Sequence, residues 1–216
     1  MKARKFKKQT DKSIIAVGTY DKIAQAYTKE FFEDKVDIKY LDKFLSFLPK
    51  EAKILDVGCG PGNFTKYFLE KGFYAEGIDL STGMLKIAKK KVPNGIFKKM
   101  DMRKLNYPDE SFDGLCAAYS LYHIPSKQTL ITLKEFNRVL KLNGIMILML
   151  QKGKREGIMP EPFDPKRKMF FKYFQEKEIK DLLKKSGFKI VYEAKRKPRS
   201  GLELKRIKLF FITRKQ

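Results

Sequence analysis

The residues best suited to chemistry begin with Asp56-x-Gly58-x-Gly60-x-Gly62, which follows the short apolar run Ile54-Leu55 and leads into Asn63-Phe64-Thr65. A strand that runs into a glycine turn and then a helix start can cradle a nucleotide. Glycine lets the backbone approach a ligand and take positive φ without a Cβ clash. Asp79 ends a second apolar stretch roughly 20 residues beyond the first glycine, where an acid can accept hydrogen bonds from ribose hydroxyls. Asp101 follows a third stretch directly. His123 is the only histidine. With an ordinary pKa of ~6.5 it could serve as a general base toward a hydroxyl or amine, or simply pack and bond a backbone group. Each acid taken alone could equally be a helix cap or turn residue.

These residues need a scaffold that brings strand ends together. Lys53–Val57, Tyr74–Ile78, Ile96–Met100, Phe112–Ala117 and Gly144–Leu150 read as strands, with helices expected at Asn63–Lys71, Thr82–Lys91 and Lys127–Leu140. That alternation predicts an α/β fold, a parallel sheet covered by helices. Ahead of it, 1–18 reads as a basic arm, and Thr19–Tyr27 and Ile38–Leu48 as two helices within 19–48. Residues 19–216 form one domain on this reading. The stretch 153–168, with Gly153, Gly157, Pro160, Pro162 and Pro165 and no apolar period, reads as a loop or lid. Glu176–Lys185 is expected to be helical, and Phe188–Glu193 and Lys208–Thr213 to be an antiparallel strand pair.

The spacing of the glycines departs from the dinucleotide pattern G-x-G-x-x-G, whose third glycine would fall at Asn63. A nicotinamide dinucleotide is therefore the weaker cofactor reading. A P-loop is excluded because no Gly-Lys-Ser/Thr follows the turn. Asp-x-Gly-x-Gly-x-Gly resembles motif I of the class I S-adenosylmethionine (SAM)-dependent methyltransferases. Thr19-Tyr-Asp-Lys-Ile-Ala-Gln-Ala-Tyr27 is similar to the leading helix of the quinone-biosynthesis and wobble-uridine tRNA methyltransferases. Cys116-Ala-Ala-Tyr-Ser-Leu-Tyr-His-Ile-Pro125 resembles the segment after strand four in small-molecule methyltransferases.

The resemblance implies a Rossmann-like, seven-stranded, mostly parallel sheet with helices on both faces and an antiparallel final strand. It implies SAM as cofactor and S-adenosylhomocysteine as product. Gly58, Gly60 and Gly62 would line the methionine portion, with Asp56 acting electrostatically or holding the turn. Asp79 and the adjacent Leu80 would take the ribose end. Asp101 would face the adenine amino group and the Met102 backbone N–H a ring nitrogen. Ala118 and Tyr119 would flank the transferring methyl, with Tyr119 and His123 the catalytic candidates. Tyr20 and Tyr27, two helical turns apart, share a face. They would close the site and contact the SAM carboxylate, or belong to ordinary core packing.

The acceptor is less legible. No Asn/Asp-Pro-Pro-Tyr/Phe follows strand four, which argues against N6-adenine methylation. The nucleophilic Pro-Cys and Thr-Cys pairs of 5-methylcytosine chemistry are absent, and no acidic metal pattern is evident. A small-molecule O, N or C acceptor is expected. A tRNA acceptor, or a role as SAM-binding partner subunit, is the alternative. It draws on the net charge of +23, from 48 Lys and Arg against 25 acids. A footprint for RNA should gather on one face, whereas the basic residues run through the whole chain. The longest apolar run, Ile145–Leu150, is too short to cross a bilayer. With two cysteines, Cys59 and Cys116, there is no disulfide framework, and a cytoplasmic protein is expected.

Overall fold

The computed structural model describes residues 12–199 and 203–216. Its centre is a seven-stranded sheet. The strands are β1 (Lys53–Val57), β2 (Tyr74–Asp79), β3 (Ile96–Lys99), β4 (Phe112–Ala118), β5 (Leu140–Gln151), β8 (Phe188–Arg196) and β9 (Lys208–Lys215). Their spatial order is β3-β2-β1-β4-β5-β9-β8. β1 to β5 run parallel to their neighbours, and β9 pairs antiparallel with both β5 and β8. This is the expected Rossmann-like arrangement. From Ile145 to Gln151 every residue of β5 is buried, because a central strand is covered on both faces.

The helices are α1 (Lys12–Phe31), α2 (Ile38–Leu45), α3 (Asn63–Glu70), α4 (Thr82–Lys91), α5 (Ser126–Val139) and α6 (Glu176–Lys185). α2 and α3 bury Leu41, Phe44 and Phe68 with Ile54, Ile147 and Phe210. α5 and α6 bury Leu133, Phe136, Ile179 and Leu183 with Leu115, Leu148 and Phe211. These clusters hold the strand ends rigidly, and the chemistry-bearing residues sit on those ends.

Two expectations are corrected. The arm expected at 1–18 is in part helix: α1 starts at Lys12, and its apolar turn Ala16 packs in the main core. Residues 1–11 lie outside the described residues. The stretch 153–168 is not an irregular lid. It contains β6 (Glu156–Pro160), paired antiparallel with β7 (Lys168–Lys172). β6 hides from pattern reading because it is an edge strand, mostly exposed, that ends on Pro160. β7 is short, but Met169–Lys172 are all buried.

Helix α1 is fastened over the strand ends at two points. Asp21 Oδ1 accepts from Ser81 Oγ (2.6 Å) and from the Gly83 N–H at the start of α4 (2.8 Å). Thr19 Oγ1 donates to the Lys168 carbonyl at the start of β7 (2.9 Å).

Candidate active site

The sheet order reverses between β1 and β4, so a crevice opens beyond their carboxyl ends, the position where ligands bind in such sheets. The glycine turn fills one side of it. Gly58, Gly60 and Gly62 take φ of 70°, 54° and 86°. Ser120 lies against Gly58 and donates from Oγ to the Val57 carbonyl (2.7 Å), tying the two strand ends together. A Cβ at Gly58 would stand 2.4 Å from Ser120 Cβ, whereas one at Gly60 would meet nothing within 4 Å.

Asp79 pins the turn. Its Oδ2 accepts from the Gly60 N–H (2.9 Å) and its Oδ1 from the Ser81 N–H (2.8 Å). Burial raises its pKa, and the backbone N–H donors oppose that rise. Asp101 Oδ1 accepts from the Arg103 N–H (2.9 Å), and both carboxylate oxygens accept from the Arg103 guanidinium. Arg103 Nη1 in turn donates to Gln128 (2.9 Å). Asp79 Oδ2 keeps a lone pair for a ligand, whereas each Asp101 oxygen already accepts two hydrogen bonds from Arg103.

Gly58, Gly60, Asp79, Leu80, Asp101 and Met102 line one continuous cavity, and the Ala16–Tyr20 face of α1 roofs it. The donor set suits an adenosyl group bearing a charged amino acid. A glycine turn lies at one end, the Asp79 carboxylate is bonded to it, and a further acid, Asp101, follows β3. Of the residues expected to face the cofactor, Gly62 is buried against Phe97 and Ala88 and lines neither cavity, and Asp56 is also placed apart. It is 1% exposed and lines neither cavity; its Oδ2 accepts from Thr65 Oγ1 (2.7 Å). It holds α3 to β1 beneath the turn.

Burial raises the Asp56 pKa to about 7, against the opposing hydrogen bonds from Thr65. The folded protein thus holds a proton that the unfolded chain, with an ordinary Asp at ~3.9, has released. Stability associated with Asp56 is full below ~4 and is lost as pH rises toward about 7. Asp56→Asn should therefore match the wild type near pH 4 and exceed it at pH 8, by on the order of 4 kcal/mol at most. Urea unfolding at the two pH values checks this. An equal difference at both would contradict the buried, protonated carboxyl.

A second cavity meets the first at Gly58, Gly60, Ala118, Tyr119, Tyr20 and Tyr27. Tyr119 takes φ of 53°, and its hydroxyl donates to Asp37 Oδ2 (2.8 Å). Asp37 is paired with Arg196 (2.8 Å), which also binds Glu203 (2.7 Å). Burial and then the Asp37 carboxylate push the Tyr119 pKa well up.

His123 has both ring nitrogens engaged. Nδ1 lies 2.8 Å from the Phe170 carbonyl, which can only accept, so Nδ1 carries the proton. Nε2 then accepts from the Tyr20 hydroxyl (3.0 Å). The Tyr20 hydroxyl also shares a hydrogen bond with Tyr122. Burial lowers the His123 pKa to about 4, partly offset by the Phe170 bond. Tyr20 and Tyr27 meet edge-on, 5.7 Å between ring centroids.

Several residues here escaped sequence reading. Ser120 had a readable signal, since it follows Ala118-Tyr119 at the end of β4. Asp21 lies inside the helix motif, but its grip on α4 is a tertiary contact. Gln151 is visible as the polar stop of an apolar run. Glu161 and Phe163 lie in the stretch taken for a loop. Among the described residues no cluster of His, Cys, Asp and Glu could hold a metal ion.

A methyltransferase-domain family model matches residues 55–148, which spans β1 into β5. The ubiquinone/menaquinone biosynthesis C-methyltransferase of Campylobacter jejuni is 36% identical over 117 residues, 51% of this chain and 48% of that enzyme. The chain thus spans about half the length of several curated relatives it matches. Demethylmenaquinone methyltransferase of Bacillus velezensis is 30% identical over 173 residues, 73% of this chain and 69% of that one. Among solved structures, a Burkholderia thailandensis 1,6-didemethyltoxoflavin-N1-methyltransferase, bound to its acceptor and S-adenosylhomocysteine, superposes with a TM-score of 0.75. At 19% identity, over 100% of this chain and 93% of that one, it speaks for the fold alone. Sheet order, glycine turn and relatives agree: the chain belongs to the class I SAM-dependent methyltransferases.

Proposed function

We propose that the protein transfers the methyl group of SAM to an O, N or C atom of a small molecule. The observation that carries this is the junction of the two cavities at Gly58, Ala118 and Tyr119. One cavity has the donor set for SAM, and the other opens on the side where an acceptor could approach in line. Bound SAM would supply an electrophilic methyl, leaving S-adenosylhomocysteine as the acceptor forms its new bond and gives up a proton. Gly58, Gly60 and Asp79 would hold the cofactor, with Leu80, Asp101 and Met102 around its adenosine. The chain's own contribution is then chiefly positioning and exclusion of water under α1.

Tyr119 and His123 serve this reading as positioning residues. The Tyr119 hydroxyl is spent on Asp37, and His123 orients Tyr20 through Nε2. Transfer rates should therefore show no His123 titration between about pH 5 and 8. A rate limb near the ordinary histidine value in wild type, absent from His123→Gln, would restore the general-base role.

A tRNA acceptor, the alternative, draws on the total charge and the leading helix, but part of that charge is turned inward. Arg196 and Lys208, from the two C-terminal basic clusters, are turned inward onto Asp37 and Glu203. No helix among the described residues is long and apolar enough to cross a membrane. The test is calorimetric binding of SAM and S-adenosylhomocysteine with NAD as control, followed by labelled-methyl transfer into small-molecule and tRNA fractions. Binding of NAD in place of SAM would sink the proposal. Labelling of tRNA alone would transfer it to the alternative.

A further inference from the structure

The wall of the second cavity is acidic in a protein whose net charge is +23. Four carboxylates line it: Asp34, Asp37, Glu161 and Glu203. Three are neutralised. Asp34 binds Arg199, Asp37 binds Arg196, and Glu203 binds Arg196 and Lys208. Lys208, the one lysine in the lining, is 2% exposed, and its ammonium donates to the Leu204 (2.7 Å) and Arg206 (3.2 Å) carbonyls. It has little left to offer an anion.

Glu161 is different. It is 3% exposed, and its Oε2 accepts only from the Phe163 (2.7 Å) and Asp164 (2.9 Å) N–H groups. No lysine or arginine pairs with it among the described residues. Nearby, Gln151 ends β5 and is 5% exposed, and its Oε1 is the one buried side-chain polar atom without a partner among the described residues. A buried acceptor left unsatisfied costs roughly 1–3 kcal/mol. Here the cost falls in a cavity wall, where a ligand can remove it. The same cavity is walled by packed rings. Tyr27 and Phe31 stand 4.8 Å apart, and Phe163 lies 5.9 Å from the first and 5.4 Å from the second.

We infer that this cavity takes a flat acceptor that presents N–H groups and carries no negative charge, of the aromatic or heteroaromatic amine class, with Gln151 and Glu161 receiving its donors. Carboxylated and phosphorylated acceptors are rejected by Glu161, whose charge no residue of the wall compensates. Aromatic rings favour a flat body and attract any positive charge on it. The inference rests on the methyltransferase reading and narrows its acceptor.

The test uses the full chain loaded with S-adenosylhomocysteine and a matched pair of probes, tryptamine and indole-3-acetate. Calorimetry should show tryptamine binding at least about tenfold more tightly, since one charge-assisted contact is worth that much. Gln151→Leu should weaken tryptamine about fivefold or more. It should leave S-adenosylhomocysteine affinity unchanged and Tm equal or higher, because an orphaned polar group has been replaced by an apolar one of similar shape. A purely structural Gln151 would instead lower Tm and spare the binding. Glu161→Gln should collapse the preference for amine over acid. Equal or reversed preference, binding of neither probe, or a Gln151→Leu protein that loses Tm but not tryptamine overturns the inference while the methyltransferase reading stands. Failure to bind S-adenosylhomocysteine at all removes both.

Discussion

Gly58→Ala should abolish measurable SAM binding and destabilise the protein. The added Cβ would stand 2.4 Å from Ser120 Cβ, inside any real contact distance, and Met102 Cε would be 3.5 Å away. The backbone cannot relax to relieve it, because φ of 70° is already a conformation that L side chains take at a cost of ~1–2 kcal/mol. Overpacking adds ~1–3 kcal/mol. The clash lies between the ends of β1 and β4, so relief would spread the crevice where ligand should sit. The loss of stability should be roughly 2–5 kcal/mol by denaturant unfolding. SAM affinity should fall by more than ~100-fold, which corresponds to about 2.8 kcal/mol. Because a single side chain causes the clash, Gly58→Ala combined with Ser120→Gly should recover part of both losses. A single variant that binds SAM normally would show that the crevice is elsewhere. A double variant no better than the single would show that backbone strain, not the contact with Ser120, decides.

Asp79→Ala should cost about 100-fold in SAM affinity with a smaller effect on unfolding. The carboxylate holds the Gly60 and Ser81 N–H groups, and on the functional reading it also receives the ribose hydroxyls. Hydrogen bonds to a charged group are worth about 1.5–3 kcal/mol each, so loss of the ribose contacts together with a loosened turn reaches that size. Asp79→Asn keeps one acceptor oxygen and should lose less. The pH dependence has a definite sign. Ribose hydroxyls favour the ionised carboxylate, so affinity is lost as pH falls through the free-protein pKa. Burial raises that pKa, so the loss begins at a higher pH than for an ordinary aspartate. Undiminished affinity in Asp79→Ala would remove Asp79 from the ribose site.

The fold was readable wherever local pattern and tertiary role coincide. β1, α4 and α6 fall on the boundaries their sequences imply, because capping groups, glycines and buried faces all point the same way there. Pattern failed where the partner is distant. β6 owes its existence to pairing with β7, not to its own alternation. Ile14–Val17 looked like part of a charged arm, whereas Ala16 is buried in the cluster that holds Met169 and Phe171 of β7. At the site, the glycine turn and the acids at strand ends carry their own signal. Hydrogen-bond partners carry none: nothing in the sequence assigns the Tyr119 hydroxyl to Asp37, Nε2 of His123 to Tyr20, or Asp56 to Thr65. The family match, at 55–148, stops within β5. Gln151 and Glu161, inferred to receive the acceptor's donors, lie beyond it, whereas Gly58, Ala118, Tyr119 and Tyr122 of the same cavity lie within it.

Helix α1 roofs both cavities at once. Val17 lines the first cavity, Phe31 the second, and Tyr20 and Tyr27 both. Its anchor at Thr19 is the same hairpin whose Phe170 carbonyl fixes His123 and whose Phe171 lines the second cavity. One door therefore serves two rooms. On the functional reading, an occupant of the second cavity packed against Tyr27 and Phe163 would brace the helix, and any tightening of the cofactor by the acceptor must be returned by the same factor at equilibrium. Stopped-flow release of S-adenosylhomocysteine should be slower with tryptamine present than without. Identical rates would mean that the two exits are independent. On the functional reading, linked exits would impose an order of release, methylated product before spent cofactor.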